Sequence, residues 1–367
     1  MSDRTPARLA ALRETMTRTG TGLVALAPGS HMQWLLGFHP YPDERPCLLL
    51  VGPREAAFLM PALNAADSRV RCDLPFHEWA DAEGPDAALA GALAAIGADA
   101  PGLVALDEGM RADFALLLLG ALPAGTRHAF TTDTLGALRM RKDDGEVAIL
   151  KRNAALADGA VRAAFAAIRP GMTENQLAAV VRAHFTAHGA APEFWIIGAG
   201  ANGAFPHHHT GDTPIRAGDV VVIDIGGRID GYPSDITRMA VVGTPPEDFA
   251  HVHAVVDAAV RAAIAAARPG ARARDVDGAA RQVIADAGYG EYFVHRTGHG
   301  LGIDIHEPPY ITATSDLILR EGMVFSIEPG IYLPGRFGLR LEEIVVLRGD
   351  GAEVLSDLPR DAHFAPA

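Results

Sequence analysis

Residues 219–242 read DVVVIDIGGRIDGYPSDITRMAVV, and residues 324–347 read VFSIEPGIYLPGRFGLRLEEIVVL. Both begin on a run of Val, Ile or Phe that leads into an acid, Asp224 or Glu328. Both then cross a link rich in Gly and Pro and end on a second apolar run fronted by another acid, Asp235 or Glu342. Short β-branched runs bounded by turn residues are buried strands, so each stretch is a strand pair bearing two carboxylates. Taken singly, each acid has an ordinary explanation as half of a salt bridge, because a buried unpaired carboxylate is strongly disfavoured. Four acids in two matching pairs are different: they cannot ionise side by side without positive charge between them. Divalent cations with oxygen ligands supply that charge. Glu343 adjoins Glu342, and strand alternation turns it to the opposite face, where it braces the site or meets solvent.

The duplication extends outward. IRPGMTENQLAAVVRAHFTAHGA (168–190) is matched by ARPGARARDVDGAARQVIADAGY (267–289). Each runs from a helix end through a Pro-Gly break into a second helix that closes near Gly. A repeat this long points to two like half-domains, each offering its pair of acids to one centre. The charged run RMRKDD (139–144) marks a boundary between domains at 1–138 and 139–367. Asp143 and Glu146 have the form of a capping box, which starts a helix from about Gly145 towards Ile168. Val147, Leu150, Ala154, Val161 and Phe165 form its inner face. Upstream, apolar runs at 23–26, 47–51, 57–60 and 103–106 alternate with helical stretches such as 8–16, the pattern of an α/β layer domain.

Histidine is the next signal. VHRTGHGLGIDIHEPP (294–309) sets His295, His299 and His306 among glycines. His299 lies between Gly298 and Gly300, where the backbone packs closely and the ring reaches a metal. One imidazole with four carboxylates is a mixed N/O set that suits Mn, Co, Zn or Fe(II) better than calcium. His295 and His306 are left to exchange protons with a substrate. PHHHTGD (206–212) contains His207, His208 and His209, and a triple His in a loop is ordinarily solvated. Trp34, Trp79 and Trp195 read as core or interface anchors, Trp195 being nearest the chemistry.

A chain of 367 residues, 49% hydrophobic and 21% charged, fits two globular domains. The net charge of −13 gives no long-range attraction for nucleic acid or anionic lipid. Cys47 and Cys72 are too few for a disulfide framework and read as small buried hydrophobes in a reducing compartment. The opening MSDRTPARLAAL lacks the apolar core of a secretory signal, and apolar runs such as 115–119 fall far short of the ~20 residues of a membrane helix. A cytoplasmic enzyme is the expectation.

The ordered series GAFPHHH, VVIDIG, SDITR, HRTGHGLGIDIHE, SIEPG and GLRLEE resembles the Xaa-Pro peptidase branch of the pita-bread-fold metallopeptidases. That branch includes prolidase and aminopeptidase P, with methionine aminopeptidase more distant. The likeness runs from Arg139 to the C-terminus, and GLVALAPGSHMQWLLGF (22–38) is similar to the accessory domain of prolidases and creatinases. The resemblance implies an α+β chain, in which a pita-bread domain of two pseudo-twofold halves follows a smaller α/β domain. It also implies two divalent metal ions, Mn ahead of Co, Zn or Fe. Asp224 would bind one ion, His299 with Glu328 the other, and Asp235 and Glu342 would bridge both. His207, at the family's spacing from Asp224, would face substrate, and His306 would wall the proline pocket. His295 would contact substrate or steady the tetrahedral intermediate, Glu328 would relay a proton to the leaving nitrogen, and Arg340 would bind substrate and orient a carboxylate ligand.

The implied reaction is hydrolysis of the Xaa-Pro bond in dipeptides by a homodimer. Three alternatives stand beside it: an aminopeptidase on longer peptides, a lyase or amidohydrolase on a non-peptide substrate, and a catalytically dead binding module or metal-free creatinase-like relative. The last would have lost ligand positions that this chain keeps. Two departures are visible, FWIIGAGANGAFPHHH along the expected pocket and GLR where the family has GVR or GIR.

Overall fold

Unbroken apolar runs form strands covered on both faces. In the computed structural model, which describes residues 3–367, the runs near the N-terminus do this within the first of two units, Met1–Arg139 and Met140–Ala367. The first unit carries β1 (Leu23–Leu26), β2 (Leu48–Val51), β3 (Ala56–Pro61), β4 (Phe76–Trp79), β5 (Leu103–Leu106) and β6 (Arg127–Phe130) in one sheet, ordered β4-β3-β2-β1-β5-β6. The sheet is mixed: β1 runs antiparallel to β2 and parallel to β5. Its helices are α1 (Thr5–Thr19), α2 (Ser30–Leu36), α3 (Ala62–Arg69), α4 (Asp86–Ile96), α5 (Ala112–Ala121) and α6 (Leu135–Arg139). Leu89, Leu93 and Ile96 of α4 join Phe114 and Leu118 of α5 in the core over the sheet. Trp34, Trp79 and both free cysteines are buried there.

The second unit opens on the capping box. Asp143 Oδ1 accepts from Glu146 N at 2.9 Å, and Asp143 N donates to Glu146 Oε2 at 3.0 Å, starting α7 (Asp144–Ala167). Val147, Leu150, Ala154 and Val161 are buried, whereas Phe165 is half-buried and stacks on His363. After the Pro-Gly break, α8 (Glu174–Ala187) lies against α7, and both pack on the first half's sheet. That sheet holds β7 (Ala191–Ala199), β8 (Val220–Ile229), β9 (Tyr232–Pro233) and β10 (Ile236–Val242).

The second half repeats the plan with α9 (Phe249–Ala266), α10 (Ala273–Asp286) and the strands β11 (Gly298–Gly300), β12 (Glu307–Ile311), β13 (Val324–Ile327), β14 (Gly330–Leu333), β15 (Phe337–Arg340), β16 (Glu343–Arg348) and β17 (Gly351–Val354). The last strand, β18 (His363–Ala365), returns to the first sheet, ordered β18-β10-β8-β7 with β9 on β8. The second sheet runs β12-β11-β13-β16-β17. The duplication reaches single bridges: Thr173 pairs with Pro214 and Arg272 with Ile318, each just after a Pro-Gly break whose glycine has positive φ.

Two findings depart from the simplest reading. Residues 324–347 form the pair β13–β16 with a separate hairpin, β14–β15, inserted between them through the left-handed turn at Gly335. Secondly, α9 is long and apolar enough to cross a membrane, by length and composition alone. Its apolar side, including Val252, Val256, Ala259, Val260 and Ala263, is buried in the unit.

Candidate metal centre

A buried strand places every second side chain on one face, so a carboxylate there goes wherever the sheet faces. Asp224 sits mid-β8 opposite Thr237 of β10, and Asp235 immediately precedes β10. Glu328 follows β13 and Glu342 fills the step between β15 and β16. Glu342 N donates across the halves to Thr237 O at 3.3 Å. His299 is delivered by β11, and its two glycines are steric necessities. A Cβ on Gly298 would lie 1.8 Å from Ser326 O, and one on Gly300 2.4 Å from Pro308 O. The five residues all line one cavity of about 710 Å³, with His207, His295, His306, Arg296, Arg340, Glu193, Phe194, Ile196 and Ile305 also on its walls.

The donor set fits divalent cations. Ligand atoms of Asp235, His299 and Glu342 lie within 4.8 Å of one another. Buried oxygens of Asp224 (Oδ1) and Glu342 (Oε1) have no hydrogen-bond partner among the described residues. His299 Nδ1 donates to Gly300 O at 3.2 Å, which leaves Nε2 facing Glu328 Oε1 at 3.2 Å and Asp235 Oδ2 at 3.7 Å. Two carboxylate oxygens converging on one ring nitrogen call for positive charge between them, which a divalent ion supplies with all three as ligands. Burial, then the neighbouring Glu342 and Asp224 charges, raises Asp235 well above the carboxylate range; burial, then Glu328 and Asp224, does the same to Glu342.

A second cluster, His31, Asp107 and Glu108 in the first unit, shows the contrast. His31 Nδ1 accepts from Arg139 Nη1 at 2.9 Å, so its Nε2 is the donor that meets Glu108 Oε2 at 2.9 Å. That is a satisfied hydrogen-bond network.

The surrounding shell aims the ligands. Thr237 Oγ1 donates to Glu342 Oε2 at 2.8 Å, and Ser326 Oγ to Glu328 Oε1 at 3.0 Å. Arg340 commits its guanidinium to Asp224 Oδ2, Thr237 Oγ1, Tyr332 OH and the Pro206 carbonyl. His295 is similarly engaged: Nδ1 donates to Arg296 O at 2.7 Å, and Nε2 accepts from Tyr332 OH at 2.8 Å. Both ring nitrogens of His295 are thus engaged within the protein, although the ring lines the cavity. Burial lowers His295 to about 4, and burial with His299 and Arg296 nearby lowers His306 to about 4. His306 and His207 make no hydrogen bond among the described residues and line the cavity.

Reading residues alone misplaced or passed over several groups. Glu343 does turn away from Glu342, but it is 2% exposed and paired with Arg238 and Arg360, not solvated. His208 is not a solvated loop histidine; it binds the buried Glu174. Trp195, by contrast, is the core anchor expected: it packs on the core with Arg182 stacked over it and does not line the cavity. Tyr332 and Thr237 were missed. Thr237 shares a strand face with Asp235 by alternation, a signal available from spacing; Tyr332 had none, because only the hairpin brings it to Arg340.

Comparison with known proteins agrees with this geometry. The model of metallopeptidase family M24 matches residues 148–348, and that of the creatinase/prolidase N-terminal domain matches residues 8–140. This chain belongs to metallopeptidase family M24. It is 38% identical over 366 residues to the probable dipeptidase PepE of Mycobacterium tuberculosis, covering 98% of this chain and 96% of that protein. It is 31% identical to the Xaa-Pro dipeptidase of Lactobacillus delbrueckii subsp. lactis, with 97% and 98% covered. The crystal structure of dipeptidase PepE from Mycobacterium ulcerans matches with a TM-score of 0.93 at 38% identity, covering 99% of this chain and 98% of that one. As an M24 member the chain is a metallopeptidase that uses divalent metal, with a pita-bread domain following a creatinase-type domain.

Proposed function

We propose that this metallopeptidase binds two divalent ions and hydrolyses the bond before proline in Xaa-Pro dipeptides. The observation that carries the reading is the convergence of unpartnered carboxylate oxygens on Asp224 and Glu342 with His299 Nε2 in one cavity. Asp224 would hold one ion, His299 and Glu328 the other, and Asp235 and Glu342 both; the mixed N/O set favours Mn, with Co, Zn and Fe(II) able to substitute. When bound, the ions supply a water ionised near neutral pH and a polarised scissile carbonyl.

The chain's own residues do the rest. Glu328, whose Oε1 accepts from Ser326, carries the proton on Oε2 from the attacking water to the leaving nitrogen. His207 and His306, uncommitted among the described residues, donate to the carbonyl oxygen as its charge develops. Arg340 contributes to substrate binding by holding Pro206 beside His207 and by aiming Asp224. The scissile nitrogen belongs to the proline ring and carries no hydrogen to be recognised, so selection comes from fit against His306, Phe194, Ile196 and Ile305. The names of the two relatives above, a dipeptidase and an Xaa-Pro dipeptidase, support this choice.

A panel of Ala-Pro and Gly-Pro-Gly, assayed after chelation and reloading with Mn, Co or Zn, tests it. Faster turnover of Ala-Pro is expected. Preference for Gly-Pro-Gly would make the enzyme an aminopeptidase, and no turnover of either peptide at full metal load would move it to lyase or amidohydrolase chemistry.

A further inference from the structure

His207 stands on the cavity wall without a hydrogen bond of its own among the described residues, so its position is set entirely by its neighbours. On one side, the Pro206 carbonyl accepts from Arg340 Nη1 at 3.3 Å. On the other, His208 Nε2 donates to Glu174 Oε2 at 2.9 Å. Glu174 is the first residue of α8, and its side chain is fully buried. It accepts from four groups. Ala199 N and Asn202 Nδ2 reach Oε1, each at 2.9 Å, while His208 Nε2 and Gly211 N, the latter at 3.0 Å, reach Oε2. These donors bracket the whole connection from the end of β7 to residue 211, with His207 inside it.

A buried carboxylate is tolerated only with such saturation, and a group that orders so many donors rigidifies the segment they belong to. The same connection is wedged further down: a Cβ on Gly338 would lie 1.8 Å from Gly203 O, so β15, which carries Arg340, sits directly on it. Both anchors of His207 thus trace to fixed elements, Arg340 on β15 and Glu174 on α8.

We propose that Glu174, acting through His208, is a positioning residue for His207. His208 makes no contact with substrate; it holds the adjacent imidazole at the cavity wall. The assignment rests on the peptidase reading only in taking His207 to face substrate.

The test uses full-length metal-loaded enzyme and the variants His207→Ala, His208→Ala, His208→Gln, Glu174→Gln and the double His207→Ala/His208→Ala, with metal content and melting temperature recorded for each. His208→Ala is expected to lower kcat/KM for Ala-Pro about tenfold through kcat, with metal content retained. His208→Gln, whose amide reaches the Glu174 oxygen, is expected to restore it. Glu174→Gln, which replaces one acceptor by a donor, should act like His208→Ala, and serves if that variant does not fold. The double variant should be no worse than His207→Ala alone, because one residue acts through the other. Losses that multiply, or a His208→Ala enzyme with wild-type kcat, would overturn the proposal. A long-range proton–nitrogen spectrum of the imidazoles separates this failure from failure of the peptidase reading. Even in a protein that cleaves no Xaa-Pro peptide, the His207 signal should change in His208→Ala and not in His208→Gln; an unchanged signal in both sinks the proposal.

Discussion

Asp235 shows at the scale of one residue what the cations do. Its folded pKa is raised by burial and by Glu342 and Asp224, so in metal-free protein the folded state holds its proton at pH values where the unfolded state, near pH 4, releases it. The folded state then binds more protons, and stability falls as pH rises above about 4. Metal-free enzyme is therefore expected to melt at progressively lower temperature from pH 4 to 7, and Asp235→Asn should flatten that slope while abolishing metal binding and activity. Melting curves with and without chelator check both; a slope as steep in the variant as in the parent refutes the assignment. His306 gives the opposite sign. Lowered to about 4, it is neutral from about pH 5 upward and cannot supply an acid limb in that range. His306→Ala is expected to reduce kcat/KM about 100-fold at pH 7, the loss of one oxyanion donor, without moving the acid limb of the profile.

Elements set how closely these residues meet. The strand β11 is only three residues long, and it lies against β13 and β12 because glycine flanks His299 on both sides. Gly298→Ala would drive a methyl into Ser326 O, a backbone atom that has nowhere to go. Such overpacking costs about 1–3 kcal/mol and shifts the strand; lost metal affinity alongside a lowered melting temperature is expected. Gly335→Ala is the control. Its φ of 74 carries a strain penalty of about 1 kcal/mol, but no atom lies within 4 Å of the new methyl, so activity should be retained. Equal metal loss in both variants, measured by elemental analysis, would show that steric fit at β11 is not what matters.

For the whole molecule, the consequence is linkage. Ions that bind only the folded second unit stabilise it by about 2.7 kcal/mol at a concentration a hundredfold above Kd. In a unit of this size, Met140–Ala367, that is a rise of about 5–10 °C in melting temperature. Chelation should lower the transition of the second unit by that much and abolish hydrolysis, and Mn should restore both. An activity that survives exhaustive chelation would contradict the donor set described above.

Much of this was legible in the chain itself. The strands at 23–26 and 103–106, the capping box at Asp143 and Glu146, the duplicated halves and the five ligand candidates are all local patterns, in which the spacing of apolar residues dictates which side chains share a buried face. The partners of those faces are another matter. That Glu343 pairs with Arg238 and Arg360, that His295 meets Tyr332, and that His208 reaches Glu174 depend on contacts between elements far apart in sequence. Periodicity tells a side chain to go inward; only the packed structure decides which donor or acceptor waits there, because hydrogen bonds are satisfied by whatever the neighbouring element presents within about 3 Å.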